Sequence, residues 1–510
     1  MTDSLHGPSD RTSRWLSQMH VDPHLIAARA RDVSIELISD SAEPAAEIAL
    51  AVAATLLLRL DELAPRLHVL APRDRSVQLP RMTDIPLADA LADAHAGFTS
   101  LGLLETRPSR NPALRLVFGG EAAGLVVSTS GWAISVGSAL DGNGNGIAAF
   151  YAGVLASAEA LKAILTACGA GLERMRPWRG TASLWDYSLS ATPGPTLLAA
   201  DLGTHTWAGA GGVASAAGWA LAAAGACGTI FTGDGVVADD DVIDEDATNL
   251  NRHLTAGMND LGIEKAALLA NLLQQAGIAM TAVVRRWENL SESQRLTRLA
   301  VVSVDDDAVR RDIQLDMPQA ILNAGTGDHG EYQVSRHNFI TGAGLCCIAR
   351  ADKHFDSPEH ALAARLAVPL QDLAPYLRGG SPLPIAVLAR TALTERERAE
   401  AAGIGGRDLL QHFCGSLDLD NHGPAVSAPM LSAAAGALLA AELAKHSTTA
   451  RVALRNGQVA HANILLGPHA RWADVREKYP DCPCTDRLYR GHYMSKWLSD
   501  AGARGKTRMT

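Results

Sequence analysis

The stretch Thr204–Lys265 reads THTWAGAGGVASAAGWALAAAGACGTIFTGDGVVADDDVIDEDATNLNRHLTAGMNDLGIEK, and its reading decides the fold. A glycine turn (Gly209, Gly211, with Ala214 as the third small residue, and Gly212 as a further nucleotide contact) opens an alanine-rich helical run. A strand from Thr229 to Thr232 then delivers Asp234. This order implies a βαβ unit with an anionic nucleotide on the helix N-terminus, where unpaired N–H groups and the helix dipole favour negative charge, and an acid holding a ribose hydroxyl. Behind it, Asn249, Asn251 and Arg252 in NLNR, then Lys265, supply two amides and two cations suited to triphosphate oxygens. A glycine turn alone is common among doubly wound proteins, so the order of these polar residues is the more specific sign.

The bulk properties agree with such a protein. A chain of 510 residues implies two or three compact units. A hydrophobic fraction of 47% with 20% charged residues implies a large core, with disorder expected only at the ends. A net charge of −10 and the lack of a basic run argue against a nucleic-acid partner. The start, MTDSLHGPSDRTSRW, lacks the apolar core of a signal peptide, and the alanine-rich runs are broken by Gly, Pro and charge. No membrane span and a cytoplasmic location are therefore expected. The seven cysteines are an odd number, and Cys346, Cys347, Cys482 and Cys484 fall in two tight groups, which suggests metal or thiol chemistry rather than a disulfide framework.

Outward from the glycine turn, residues 1–22 read as a flexible lead-in. From Val33 the pattern is strand (VSIELIS), helix (AEPAAEIALAVAATLLLRLDEL), strand (RLHVLAP), a second βαβ unit. Its first turn, Ser39-Asp40-Ser41-Ala42, has no glycine to admit a pyrophosphate, so residues 23–175 have the shape of a nucleotide domain without the site. Strands near Leu114 and Leu125 and the strand WAISVGS lead to the loop DGNGNG (Asp141–Gly146). The helix after it places Gly153, Glu159 and Lys162 as a later helix places Gly436, Glu442 and Lys445, which favours a duplicated fold over coincidence of Ala and Leu. A Pro- and Gly-rich linker covers 176–195. The second unit, 196–450, begins with the strand TLLAADL and the connection THTWA, and later runs through helix AALLANLLQQAG, strand AMTAVVR and strand LAVVSV to Asp305-Asp306-Asp307 at a strand end. A solvated charged turn would look the same in isolation. Residues 451–510 form a tail with a CxC pair. His329, His337, His422 and His461 show no metal-ligand spacing and read as surface or core histidines.

GAGGVA, an acid after the second strand, T-N-L-N-R, the Lys of EK, the acidic strand end followed by Arg310 and Arg311, and the late helix with Gly436, Glu442 and Lys445 resemble the ubiquitin-activating-enzyme family. That family includes bacterial adenylyltransferases of sulfur-carrier proteins, and the likeness covers about 195–490. It implies an α/β fold of two tandem Rossmann-like adenylation-type halves, a pseudo-dimer of doubly wound, mainly parallel sheets with an inactive first half. By position, Asp234 would bind ribose, Asn249, Arg252 and Lys265 the ATP phosphates, and Asp305 Mg²⁺. The insert GVVADDDVIDEDAT departs from the family spacing, so Asp239 or Asp241 is the alternative ribose acid. Cys414, in the crossover segment of about 350–425, matches the position of the family's catalytic cysteine, with His412 beside it; a buried structural thiol is the other reading. The cysteine pairs imply a structural Zn²⁺ on Cys346, Cys347, Cys482 and Cys484, under more strain than two CxxC pairs would give.

The resemblance implies ATP-dependent activation of a ubiquitin-like protein by C-terminal adenylation and then thioester formation. It implies a bacterial conjugation pathway with a conjugating enzyme, some such pathways serving antiviral defence, and it allows a homodimer. A sulfur-carrier adenylyltransferase is the alternative within that chemistry. An NAD-dependent oxidoreductase would leave TNLNR and the acidic strand end idle, and a non-catalytic scaffold is the remaining class.

Overall fold

The computed structural model describes residues 10–497 apart from 19–20, 73–75, 121, 171–176, 245–248, 328–329, 350–361, 364–365, 370–371, 374, 377–380, 406–427, 448–452, 470–471 and 481. Short apolar runs alternate with Ala- and Leu-rich helices, and each such repeat places a strand beside its neighbour through a helical crossover. In the N-terminal half the order is α1 (Asp10–Gln18), α2 (Pro23–Ala30), β1 (Ser34–Ile38), α3 (Pro44–Leu58), β2 (Arg66–Leu70), α4 (Leu87–Ala94), β3 (Leu104–Glu105), β4 (Leu114–Phe118), β5 (Leu125–Ser130), β6 (Ala133–Val136), α5 (Gly146–Ala167) and β7 (Gly180–Ser183). The C-terminal half continues with β8 (Ala199–Ala208), α6 (Gly212–Ala226), β9 (Ile230–Ala238), α7 (Lys265–Gln275), β10 (Ala279–Val283), α8 (Glu292–Arg295), β11 (Leu299–Val302), α9 (Asp307–Leu315), β12 (Ala320–Thr326) and β13 (Glu331–His337). It ends with α10 (Ile385–Leu388), α11 (Glu395–Ala401), α12 (Pro429–His446), β14 (Gln458–Asn463), β15 (Ala473–Val475) and α13 (Arg487–Trp497).

Two sheets result, with the same strand order and sense. The first runs β3-β2-β1-β4-β5-β6-β7 and the second β10-β9-β8-β11-β12-β13-β14-β15. In each, the first five strands are parallel and the later ones antiparallel. The stretch expected as a linker contains β7, which pairs with β6 and closes the first sheet.

The helices α3, α5, α6 and α12 are buried on nearly every face, which their alanine and leucine content permits. They join both halves in one core. Gly153 and Gly436, paired in the sequence comparison, occupy matching places: a Cβ on Gly153 would lie 2.5 Å from the Ala49 carbonyl oxygen of α3, and one on Gly436 2.7 Å from that of Val213 of α6. Both buried ion pairs are formed, Lys162–Glu159 and Lys445–Glu442, each at 2.5 Å. Each lysine also reaches the opposite half: Lys162 donates to the Leu465 carbonyl at 3.1 Å and Lys445 to that of Leu184 at 2.8 Å. Among the described residues only α5 is long and apolar enough to cross a membrane, and it is 94% buried in this core. Leu362, Leu366, Leu373, Leu388 and Ala401 form a separate small cluster in the segment between β13 and α12.

Three fully buried imidazoles carry a pH signature. Burial lowers His95 and His253 to about 3 and His337 to about 4, from an unperturbed 6.5. Below pH 6.5 the unfolded chain takes up protons that the folded chain refuses until its own lower values, so stability is present at neutral pH and falls on acidification. The expected loss at pH 5 is roughly 2 kcal/mol for each of the three. Denaturant unfolding at pH 7.5 and pH 5 checks this, and an unchanged midpoint after correction for other groups would contradict the neutral imidazoles.

Candidate active site

The parallel strands β8, β9, β10 and β11 end on one edge of the second sheet, and the loops there form its crevice. After β8 the chain turns at Gly209 (φ +90°), where a Cβ would press on Val304 at 3.1 Å, and enters α6 with Gly211 as N-cap. No acid lies in the first turn of α6, and a Cβ on Gly211 would meet nothing within 4 Å. The first turn of α6 thus carries no negative side chain of its own, and the space beside Gly211 is open.

Three side chains hold this turn. The Ala210 N–H donates to Asp239 Oδ2 at 2.6 Å, the Ala210 carbonyl accepts from His253 Nε2 at 3.0 Å, and Ser303 Oγ donates to the Gly209 carbonyl at 3.1 Å. His253 is kept neutral by burial, then by the charges of Lys265, Arg59 and Arg252, so Nε2 carries its proton. Burial raises the Asp239 carboxyl above its usual range, opposed by the N–H groups of Ala210 and Asp241. The sequence reading missed His253 and Ser303; their signal was only their position beside NLNR and the β11 end.

The end of the second strand is corrected. The second strand does not stop at Thr232 but runs to Ala238, and Asp234 sits within it, exposed, accepting from Thr204 Oγ1 at 3.1 Å. Four residues of strand, about 13 Å, separate it from the crevice edge. The glycines Gly233 and Gly235 look like strand breakers, yet they mark a bulge. Gly233 has φ +143° beside the register shift at Asp201/Thr204, and the His205 carbonyl fills the space a Cβ on Gly235 would need. For the same reason THTWA is strand, not connection. The acid at the strand end is Asp239, the alternative raised above. Of the other alternative, Asp241, the carboxylate pairs with Lys265 at 2.9 Å.

The remaining residues divide. Arg252 packs against the start of α6, its Cγ 3.1 Å from where a Cβ on Gly212 would be. Lys265 opens α7 and is buried, while Asn249 is buried and its carbonyl accepts from the N–H of Arg252 and of His253. Asn251 donates from Nδ2 to Thr12 Oγ1 of α1 at 3.3 Å in a fully buried position. Beyond β11, Asp306 caps α9 through the Ala308 N–H and Asp307 pairs with Arg310, each at 2.6 Å. That leaves Asp305 exposed and, among the described residues, without a hydrogen-bond partner. Cys414, His412, His422 and His329 lie outside the described residues. His337 is a core residue bonded to Ala343 and Ser335, and His461 lies on β14 beside His469.

The matching crevice of the first half is different. There α3 begins at Pro44, which has no N–H, with Glu43 as N-cap and Glu47 in its first turn. A void of about 10 Å³ lined by Ser39, Glu47, Ala71 and Val77 admits a water at most. Among the described residues, a proline without an N–H and an acid in the first turn disfavour an anion at the start of α3.

Away from the crevice, Cys347, Cys482 and Cys484 converge, their sulfurs within 4.8 Å of one another and Cys347 Sγ 3.5 Å from Cys484 Sγ. Cys346 lies beside Cys482, and its Sγ is 3.8 Å from the Arg311 carbonyl. The reading of four converging thiols is thus met by three in the cluster and one at its margin.

No family model matches the chain. It is 28% identical over 322 residues to an uncharacterized protein, y4jF, of Sinorhizobium fredii, covering 59% of this chain. The chain spans 60% of the length of that curated relative. Among solved structures it is similar to E. coli MccB (13% identity, TM-score 0.35, 71% of this chain and 95% of that one). It is also similar to the microcin C7 biosynthetic enzyme MccB in complex with N-formylated MccA (12%, TM-score 0.32, 71% and 98%) and to selenomethionyl PaaA (11%, TM-score 0.30, 54% and 64%). At such TM-scores the site must be read from its own geometry.

Gly211 offers a clean test of that geometry. Its φ of −72° suits any residue and its Cβ position is open, so Gly211→Val should keep stability within about 1 kcal/mol. The two methyl groups would stand where an anion reaches the α6 N–H groups. Thermal melting with nucleotide titration checks this, and a variant that melts normally and still binds nucleotide would show that the anion lies elsewhere.

Proposed function

We propose that the chain is an ATP-dependent adenylyltransferase that activates the C-terminal carboxylate of a ubiquitin-like protein, in a bacterial conjugation pathway and in the cytoplasm. The observation that carries the reading is the contrast between two crevices of like topology: one opens on a helix with no acid in its first turn, among Arg252, Lys265, Asp239 and Asp305, and the other begins at Pro44 with Glu43 and Glu47. A pseudo-dimer inside one chain, with one working half, accounts for this contrast and for the reciprocal lysine contacts.

In this reading the triphosphate lies over Gly211, its charge met by the α6 N–H groups and by Arg252. Lys265 exchanges Asp241 for phosphate oxygens. Asp239, at the strand end, faces the ribose hydroxyls. The partnerless carboxylate of Asp305 suits Mg²⁺, which when bound neutralises charge on the phosphates. A carboxylate oxygen of the carrier attacks the α-phosphorus, the bond to the β-phosphate oxygen breaks, and pyrophosphate leaves an acyl-adenylate. The thiolate of Cys414 then attacks the acyl carbon and AMP departs, giving a thioester.

Exchange of labelled pyrophosphate into ATP should depend on a carrier protein, and Asp305→Ala should slow it by roughly a hundredfold. A carrier adduct cleaved by dithiothreitol should form with the native chain and be lost in Cys414→Ala. Exchange without such an adduct would favour a sulfur-carrier adenylyltransferase that stops at the adenylate. No exchange with any carrier, together with NAD binding, would overturn the reading.

The thiol cluster suits a structural Zn²⁺ on Cys347, Cys482 and Cys484 with Cys346 as fourth ligand, since sulfurs 3.5 Å apart match the edge of a tetrahedron of thiolates. It would tie β13 and the segment after it to α13. Metal analysis should find stoichiometric zinc, and Cys484→Ser should lower both zinc content and melting temperature. A metal-free protein with the same melting temperature would refute the site.

A further inference from the structure

We propose that Arg59, from the N-terminal half, is a positioning residue for the phosphate-binding loop of the C-terminal half, so that the open crevice depends on its closed counterpart. The inference rests on the reading of that loop as a phosphate site. Arg59 is the C-cap of α3 and is 1% exposed. Its Nη1 donates to the carbonyls of Leu250 and of His253 (3.3 Å), and its Nη2 to those of Leu254 (3.0 Å) and Ala256 (2.8 Å). Four backbone acceptors from one irregular loop thus converge on one cation, and among the described residues no carboxylate is hydrogen-bonded to it. Phe98 lies over the same guanidinium, 5.5 Å from its carbon, and packs with Ile243, Leu250 and Ala256 of the loop. Two further contacts hold the loop to the first half: Arg81 pairs with Asp260 at 2.5 Å, and Asn251 bonds Thr12.

The consequence for the site follows along the chain. Leu250 and His253 flank Arg252, whose stem packs on Gly212, and His253 itself holds the Ala210 carbonyl of the glycine turn. With the cation removed, four buried acceptors would face one another unpaired, and the loop would reorganise to reach water. The residues that move first are those that hold Arg252 and the turn in place. A guanidinium is suited to this because its planar fork addresses several carbonyls at once, whereas a lysine ammonium reaches fewer in that geometry.

The test compares Arg59→Met, Arg59→Lys and, as a stability control in the first sheet away from the loop, Ile134→Val, all in the full-length chain. Amide hydrogen exchange over residues 249–257, ATP affinity and melting temperature are measured for each. Arg59→Met should lose protection in the loop and weaken ATP binding by roughly tenfold or more, with Arg59→Lys between it and the native chain. Ile134→Val should lower only the melting temperature. Folded Arg59 variants with native loop exchange and native ATP affinity would overturn the proposal. If Arg59→Met does not fold, Arg59→Lys and Phe98→Leu carry the same comparison. Should the native chain bind no ATP, the nucleotide reading fails, while the exchange measurement still decides whether Arg59 holds the loop.

Discussion

The close approach of helix to helix is the constraint on which the rest of the structure depends. Where α5 crosses α3 at Gly153, and α12 crosses α6 at Gly436, the backbones stand too near for any side chain. Helices packed this tightly are buried on all sides, and the two charged pairs they carry are buried with them. Each pair is then completed by backbone carbonyls, and in both cases the lysine takes one from the other half. A buried pair of this kind adds little net stability, but removing one partner costs about 3–5 kcal/mol. Both lysines thus tie a buried ion pair of one half to backbone carbonyls of the other.

On that common frame the two helix starts differ in charge. The same position in the topology, the start of the helix after the first strand, is proline and glutamate in one half and glycine in the other. A helix N-terminus favours anions only while its N–H groups are free and no acid stands before them. The difference is confined to the helix start, and the two sheets keep the same order of their first five strands. Arg59 and Phe98 grip the loop that serves the open crevice, and Thr12 and Arg81 add to the grip.

The open crevice is held by residues of modest individual signal. Asp239, His253 and Ser303 each make one bond to the turn, from three different elements. Together they hold the Gly209 carbonyl and the N–H and carbonyl of Ala210, so the turn is fixed by the protein's own side chains. Such preorganisation removes the cost of ordering a glycine-rich segment on binding.

The sequence by itself determined most of the element types and the likeness of α5 to α12. Apolar runs of strand length, alanine-rich helices and the matched Gly, Glu and Lys spacing of α5 and α12 are local signals, and local periodicity carries them. It also brought out Gly209, Gly211, Arg252, Lys265 and Asp305, because their order along a βαβ unit has chemical meaning. Only the tertiary structure decided which acid ends the strand, since Gly233 and Gly235 read as breakers until β8 is seen pressed against β9. Only it showed that Asn251 turns to Thr12, that Cys346 stands at the margin of the thiol cluster, and that a first-half arginine closes a second-half loop. Those facts depend on contacts between residues as much as 239 positions apart, which no local pattern encodes.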